Sequence, residues 1–287
     1  MRIDLHTHTT ASDGLLSPEQ LVALARTAGV EILAVADHDS TEGVDRAMAA
    51  GAAASIEVLP AIELNTDVPG TEVHVLGYLL DHHVSWFQDL LRRLRDGRVH
   101  RAERMVEKLQ ALGAPIAMER VLAFADGGAV GRPHVARALV EAGWVRETAE
   151  AFTRFIGRNG PAYVERLKVA PGEAVQIIRG AGGVAVLAHP GWLGDDAVVE
   201  SLLGDGLEGI EAYHPDHSPE MVERYLGVAR RHGLLVTGGT DFHGADLATR
   251  VPLGSQYVPP DAPARLRERV RDRRAHAEPP PLQLAAE

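Results

Sequence analysis

The 287-residue chain contains no cysteine, which excludes disulfides, thiolate zinc sites and cysteine nucleophiles. Aromatic residues make up only 5% of it, too few to build a stacking platform for many successive bases. A ligand that is small, or gripped by one terminal nucleotide, is the expectation. Positive charge is also in deficit, with 29 Lys and Arg against 40 Asp and Glu and a formal net charge of −11. A surface that wraps long duplex nucleic acid is excluded on that ground, whereas a local basic cleft is not. The acidic surplus also includes carboxylates that bound cations would neutralise. No apolar run reaches the length of a membrane span, and the first residues enter a charged strand without an apolar signal stretch. A cytoplasmic protein with no membrane partner is therefore expected.

Histidine is what the chain has in excess, with 14 residues, and their grouping says more than their number. The opening run Ile3-Asp4-Leu5-His6-Thr7-His8 reads as a strand, whose period of two turns His6 and His8 the same way. Two neutral imidazoles side by side at a strand end are hard to explain as packing. They are easily explained as two arms of a metal site. Asp13-Gly14 signals a turn, and Ser17-Pro18-Glu19-Gln20 predicts a helix start with Ser17 as N-cap and Gln20 closing a capping box. Residues 31–36 form a near-continuous apolar run, as a parallel strand covered on both faces requires, and the run ends in Asp37-His38-Asp39. A second helix is expected at 43–54. Strands at 58–65 and 72–78 then carry Glu63 and His74 within apolar surroundings, where an ionisable group needs a partner.

From about residue 80 to 164 this alternation stops. Residues 84–112 read as one or two helices bearing Arg92, Arg93, Arg95, Arg98, Arg101, Arg104 and Lys108, with shorter helices at 118–125 and 133–142. The pattern predicts a helical subdomain, 81–163, inserted into an α/β domain formed by 1–80 and 164–258. Its basic residues are open to two readings, a solvated helix face or a local positive potential. The alternation resumes with a helix at 171–181 and strands at 184–188, 207–212 and 234–238. These strands end in His189-Pro190, in Tyr213-His214-Pro215-Asp216-His217 and in Thr240-Asp241-Phe242-His243. Seven candidate strands result, six with a helix or an insertion before them. Most are tipped by ionisable residues, where α/β barrels and open α/β sheets place their chemistry. Residues 259–287 read as a Pro-rich link, a basic helix at 262–274 and a tail expected to be disordered.

Each of these histidines has an ordinary explanation when taken alone. His74 fits a hydrogen-bonded core residue, His38 a loop ion pair, and His214 and His217 an exposed surface. Together with His6, His8, His189, Asp241 and His243 they predict a metal centre, and imidazole and carboxylate donors without sulfur suit zinc, manganese or iron. Gly131-Arg132-Pro133-His134 sets an arginine at a proline-started helix, where Arg132, His134 and free backbone N–H groups would meet an anion together. A structural arginine bridging insertion and barrel is the alternative for Arg132. Lys168, at the return from the insertion, is a further candidate phosphate contact.

His6-x-His8, Asp13-Gly14, Asp37-His38-Asp39, Glu63, Ala188-His189-Pro190 and Asp241-x-His243 resemble the motif set of the polymerase and histidinol phosphatase (PHP) family of metal-dependent phosphoesterases. The resemblance runs from Met1 to about Tyr257. Motif order and the mid-chain insertion are similar to the branch that contains nucleoside 3′,5′-bisphosphate phosphatases and a 5′-to-3′ exoribonuclease acting on short RNA. It implies a distorted seven-stranded (β/α) barrel holding two to three divalent ions, Mn²⁺, Zn²⁺ or Fe²⁺. One ion would be held by His6, His8, Glu63 and Asp241, with Glu63 bridging to a second that also takes His74 and His189. The third would be held by Asp13, His38 and His243. Some relatives have histidine at the Asp13 position, so the harder donor here favours manganese or iron at that ion. The branch holds a second phosphate with basic residues around the insertion, and Arg132 and His134 match them. Glu63, Asp241 and His214 are the expected catalytic residues, with His214 assisting the leaving group or contacting phosphate and His217 supporting it. A histidinol-phosphate or other small phosphomonoester phosphatase is the alternative enzyme. A non-catalytic nucleic-acid-binding or regulatory module is the alternative of another class, although such a module could lose metal ligands freely and all nine positions are intact.

Overall fold

The structure is a computed structural model that describes residues 1–68, 71–114, 116–165, 169–193, 197–244 and 251–274. Seven strands form one sheet in sequence order: β1 (Ile3–Thr7), β2 (Ile32–Val35), β3 (Glu57–Val68), β4 (Thr71–Tyr78), β5 (Val184–Leu187), β6 (Gly209–Tyr213) and β7 (Leu235–Gly238). The sheet nearly closes, because Thr7 bridges to Phe242 and the His8 N–H donates to the Phe242 carbonyl at 2.9 Å. All neighbouring pairs are parallel except those made by β4, which runs antiparallel to both β3 and β5. Five strands, not six, follow a helix or the insertion, since β3 passes directly into β4 as an antiparallel pair. The reversal matters for the site. The start of β4, with His74, thereby meets the carboxyl ends of its neighbours.

Local signals set the surrounding helices. In α1 (Pro18–Ala28) the Ser17 hydroxyl accepts from the Gln20 N–H, the Gln20 side chain accepts from the Ser17 N–H, and Gly29 closes the helix at φ 74°. α2 (Val44–Ala54) packs beside it on β2 and β3. Alternate side chains of six strands, among them Leu5, Ala34, Ala61, Leu76, Val186 and Leu235, converge on one cluster. The C-terminal helix α10 (Ala262–Arg274) adds Ala262, Leu266 and Val270 to that cluster, so it belongs to the hydrophobic unit of the barrel. The expected tail, 275–287, lies outside the described residues.

Between β4 and β5 lie α3 (Ser85–Ala111), α4 (Met118–Ala125), α5 (Arg132–Glu141), α6 (Thr148–Ala151) with a π-helical turn at Phe152–Ile156, and α7 (Pro171–Gly180). One continuous helix thus occupies the 84–112 stretch, and it serves two cores. Its first half buries Phe87, Leu90 and Leu91 against barrel and α7, while its second half buries Met105, Val106 and Leu109 against α4 and α5. Several of its basic residues brace the molecule. Arg95 pairs with Glu42, Arg98 with Asp39, and Arg101 donates to the Val164 carbonyl at 2.7 Å. After β5 the chain forms α8 (Ala197–Gly204), which sequence reading passed over, and α9 (Pro219–His232), capped by the Ser218 hydroxyl.

Candidate metal centre

Glu63 sits fully buried on β3 and is the hub of the site. Its Oε1 lies 2.9 Å from His74 Nδ1 and 2.9 Å from His189 Nε2. Its Oε2 lies 2.9 Å from His38 Nδ1, 3.3 Å from His6 Nε2 and 3.4 Å from His8 Nε2. Asp241 Oδ1 closes the same group, 3.0 Å from His8 Nε2 and 3.3 Å from His6 Nε2. On the far side of His8, whose ring stacks on His243 at 4.1 Å, Asp13 approaches His243 Nε2 at 3.3 Å and His38 Nε2 at 3.9 Å. Three donor sets result: His6, His8, Glu63 and Asp241; His8, Asp13, His38 and His243; and His38, Glu63 and His74, with the donor atoms of each within 4.8 Å of one another. They share His8, His38 and Glu63, as a di- or trinuclear centre requires. His189 reaches the hub through Glu63 Oε1.

These atoms fit cations better than they fit one another. Within this group His6 Nε2, His8 Nδ1 and Nε2, Asp13 Oδ1, His38 Nδ1, Glu63 Oε2, His74 Nε2 and Asp241 Oδ1 are buried without a hydrogen-bond partner. Leaving so many polar atoms unsatisfied costs about 1–3 kcal/mol each, and coordinated cations would recover that cost. The charges point the same way. Against the cost of burial, His38, His6 and His74 hold Glu63 well below the usual carboxylate range. Burial likewise opposes the ionisation of Asp13 and Asp241, yet neighbouring histidines keep both anionic. Burial and the nearby His243 and His38 push His8 down to about 3, so it offers a free lone pair. Backbone strain collects here as well, since Asp39, His189 and Asp241 hold φ of 49°, 23° and 49°. Such left-handed conformations in residues other than glycine cluster at functional sites.

The candidate phosphate contacts divide. His214 is buried beside Asp241, with Nε2 3.6 Å from Asp241 Oδ2 and without a hydrogen-bond partner. Its Nδ1 accepts the Asp216 N–H at 3.2 Å, which leaves the proton on Nε2, facing the centre. His217 has both nitrogens engaged, one with the Ala212 carbonyl and the other accepting from the Gly191 N–H at 3.0 Å. It braces the turn after His189. Arg132 pairs with Glu72 at 2.7 Å, bridging α5 to β4, and the Glu72 carboxylate in turn lies 3.9 Å from His74 Nε2. His134 caps α5, its Nδ1 accepting the Gly131 N–H at 2.9 Å, and burial pushes its pKa down to about 4. Lys168 lies outside the described residues.

Sequence reading missed Glu211. It is fully buried on β6, 3.0 Å from His6 Nδ1, and it accepts the His189 N–H at 2.8 Å. A lone glutamate within an apolar strand, the signal that exposed Glu63, was present here too. Its carboxylate takes the Nδ1 proton of His6 in a hydrogen bond, which leaves the Nε2 lone pair free to ligate a cation beside Glu63 and Asp241 and raises its basicity. Replacing Glu211 with Gln is expected to weaken metal retention and turnover by about 10–100-fold while the fold persists. Metal content after dialysis against a graded chelator series, read beside circular dichroism, checks this. Unchanged retention would remove Glu211 from the site.

Comparison with known proteins agrees with this geometry. The PHP domain model matches residues 4–112. The chain is 34% identical over 250 residues to a 5′-3′ exoribonuclease of Haemophilus influenzae, covering 84% of this chain and 90% of the relative. It is 33% identical over 264 residues to a 3′,5′-nucleoside bisphosphate phosphatase of Chromobacterium violaceum, covering 90% of this chain and 93% of the relative. A solved structure from Bifidobacterium adolescentis, classed provisionally as a metal-dependent phosphoesterase, superposes with a TM-score of 0.85 at 34% identity, over 93% of this chain and 96% of that one. With the near-closed barrel and donor clusters around Glu63, these matches establish that the chain belongs to the PHP domain family of metal-dependent phosphoesterases.

Proposed function

We propose that the protein hydrolyses the 3′-phosphate of nucleoside 3′,5′-bisphosphates and also releases nucleotides from the 5′ end of short 5′-phosphorylated RNA. The observation that carries this reading is the packing of three overlapping donor sets around one buried carboxylate, in a chain similar over most of its length to relatives named for both activities. His6, His8, Glu63 and Asp241 would hold one divalent cation, Glu63 with His74 and His189 a second, and Asp13, His38 and His243 a third. Asp13 supplies the third set with a hard anionic donor, which favours Mn²⁺ or Fe²⁺ there, while zinc suits the imidazole-rich sets. When bound, such ions supply Lewis acidity toward phosphate oxygens and acidify water near neutral pH. The protein's own part is to fix the phosphate and manage a proton. His214 presents an N–H at Nε2 toward Asp241, placed to donate to a phosphate oxygen or to the departing ribose oxygen. Arg132, at the mouth beside His74, would exchange Glu72 for the second phosphate, with His134 holding the head of α5 in place.

Trp192 supports a nucleotide substrate. Its indole is half exposed, packs against His189 at 4.0 Å and is steadied by Nε1–H donating to Asp216. One fixed aromatic face at the rim suits one terminal base, in keeping with the scarcity of aromatics elsewhere. The test is phosphate release by metal-reconstituted protein from adenosine 3′,5′-bisphosphate, histidinol phosphate, a base-free ribose phosphate and a 5′-phosphorylated RNA oligomer. The bisphosphate is expected to be the best substrate. Trp192→Ala should raise its KM about 10-fold, in line with ~1–3 kcal/mol per stacked base, and leave the base-free substrate unchanged. Arg132→Ala should raise KM for the two substrates that carry a second phosphate, the bisphosphate and the 5′-phosphorylated RNA, and leave the monophosphates unchanged. Preference for histidinol phosphate, or indifference of the bisphosphate to both substitutions, would overturn the nucleotide assignment.

A further inference from the structure

A second group of metal-type donors lies away from the catalytic cluster, where α2 meets the turn leading into α3. His82 Nε2 is 2.9 Å from Asp45 Oδ1, and His83 Nε2 is 3.5 Å from the same oxygen. The two adjacent imidazoles tilt together with centroids 4.1 Å apart, and all three donor atoms fall within 4.8 Å of one another. We infer that Asp45, His82 and His83 form a separate, solvent-accessible site for a borderline divalent cation such as Zn²⁺.

Three features carry this. First, the spacing fits: donors bound at about 2.0–2.1 Å in a tetrahedron stand roughly 3.3 Å apart, between the two observed separations. Second, the donor set is right for zinc, two imidazoles through Nε2 and one carboxylate oxygen, and unlike calcium or magnesium ligation. Third, the half-buried base is pre-shaped. His82 is buried, its carbonyl accepts from Gln88, and Gln88 also reaches Thr41 at 2.9 Å, while the His83 N–H donates to Asp81 at 3.1 Å. Asp45 and His83 are exposed, so the fourth position opens to solvent and an ion can enter and leave. An ordinary His–Asp hydrogen bond explains the first pair alone. The neighbouring imidazole turns its Nε2 to the same oxygen as well, the convergence of donors that a shared cation uses.

Such an ion would pin the first turn of α2 to the head of α3. α3 carries Gln88, Arg95 and Arg98 onto Thr41, Glu42 and Asp39, the loop that follows His38. The site is thus placed to tighten the seat of α3 along one wall of the catalytic cleft. It is independent of which phosphate ester the enzyme cleaves.

The test is equilibrium dialysis of the full chain at fixed micromolar free zinc, with metal counted per chain, for wild type, His83→Ala, Asp45→Ala and, as a control for an exposed histidine elsewhere, His100→Ala. Wild type and His100→Ala are expected to hold one zinc more than the other two. Zinc added beyond the catalytic complement should raise the melting midpoint of wild type and His100→Ala but not of the other two. Should Asp45→Ala prove less stable in chelator, His83→Ala decides alone, because its side chain is exposed. Equal zinc counts, or a difference that appears only at millimolar zinc, would overturn the site.

Discussion

Replacing Glu63 with glutamine is expected to lower turnover on the order of a thousandfold and to strip most of the metal from the protein. The reasoning starts from burial. Glu63 is wholly inaccessible. Five imidazoles, those of His6, His8, His38, His74 and His189, surround its two oxygens, and against the cost of burial His38, His6 and His74, with a hydrogen bond to His189, keep it ionised. Glutamine has nearly the same shape, so packing is retained, but it removes the one anion that two donor sets share and turns one oxygen into an N–H₂ group facing imidazole nitrogens. Cations crowded in that space would repel one another without the carboxylate between them. Metal content by elemental analysis and phosphate release measured on the same preparation check the prediction. Full metal occupancy with wild-type turnover would show that Glu63 is a structural acid and that the centre lies elsewhere. Removing metal from the wild-type protein with chelator should abolish activity to the same degree and, unlike the substitution, be reversed by adding divalent ion back.

Much of this site is legible in the sequence because its signals are local. His6-x-His8 needs only the period of a strand, Ser17 to Gln20 only the first turn of a helix, and the apolar run at 31–36 only its own composition. The seven strands follow from the same kind of reading. What sequence does not disclose is pairing over distance. The reversal of β4 is set by its partners, and its one local cue, Pro69-Gly70 between two apolar runs, is a turn signal shorter than the strands it joins. The arginines of the helical region read equally well as a solvated face. Only the fold brings Arg98 to Asp39, Arg132 to Glu72 and Arg158 to Asp67, three long-range ion pairs that fasten that region to the barrel beside the metal centre. Glu211 escaped, although His214 follows it by three residues, because the groups it holds are distant in sequence. Its partner, His6, is 205 residues away.

The Asp37-His38-Asp39 motif shows how one short stretch divides its labour, and it leads to the largest expected effect on stability. His38 alone of the three joins the donor sets. Asp39 accepts from Arg98 and from the Asn65 N–H, tying β3 and α3 to the end of β2. Asp37 turns the other way and latches the loop that carries Asp13: Oδ1 accepts from the Thr9 N–H at 2.7 Å and the Ser12 hydroxyl at 2.6 Å, and Oδ2 from the Thr9 hydroxyl at 2.7 Å. Replacing Asp37 with alanine strands these donors in a buried space and leaves a cavity. The expected cost is about 3 kcal/mol, or a fall of roughly 6–10 °C in melting midpoint, together with loss of the metal held through Asp13 as its loop loosens. Asparagine should behave differently. Its oxygen can keep both bonds made by Oδ1, and its N–H₂ group can donate to the Thr9 hydroxyl, which rotates to accept. Asp37→Asn is therefore expected to melt within about 1 kcal/mol of wild type and to retain its metal. Thermal denaturation and metal content of the two variants, measured side by side, distinguish a latch from a ligand. If asparagine loses metal as completely as alanine, the carboxylate charge itself is required, and Asp37 acts on the centre electrostatically rather than by holding the loop.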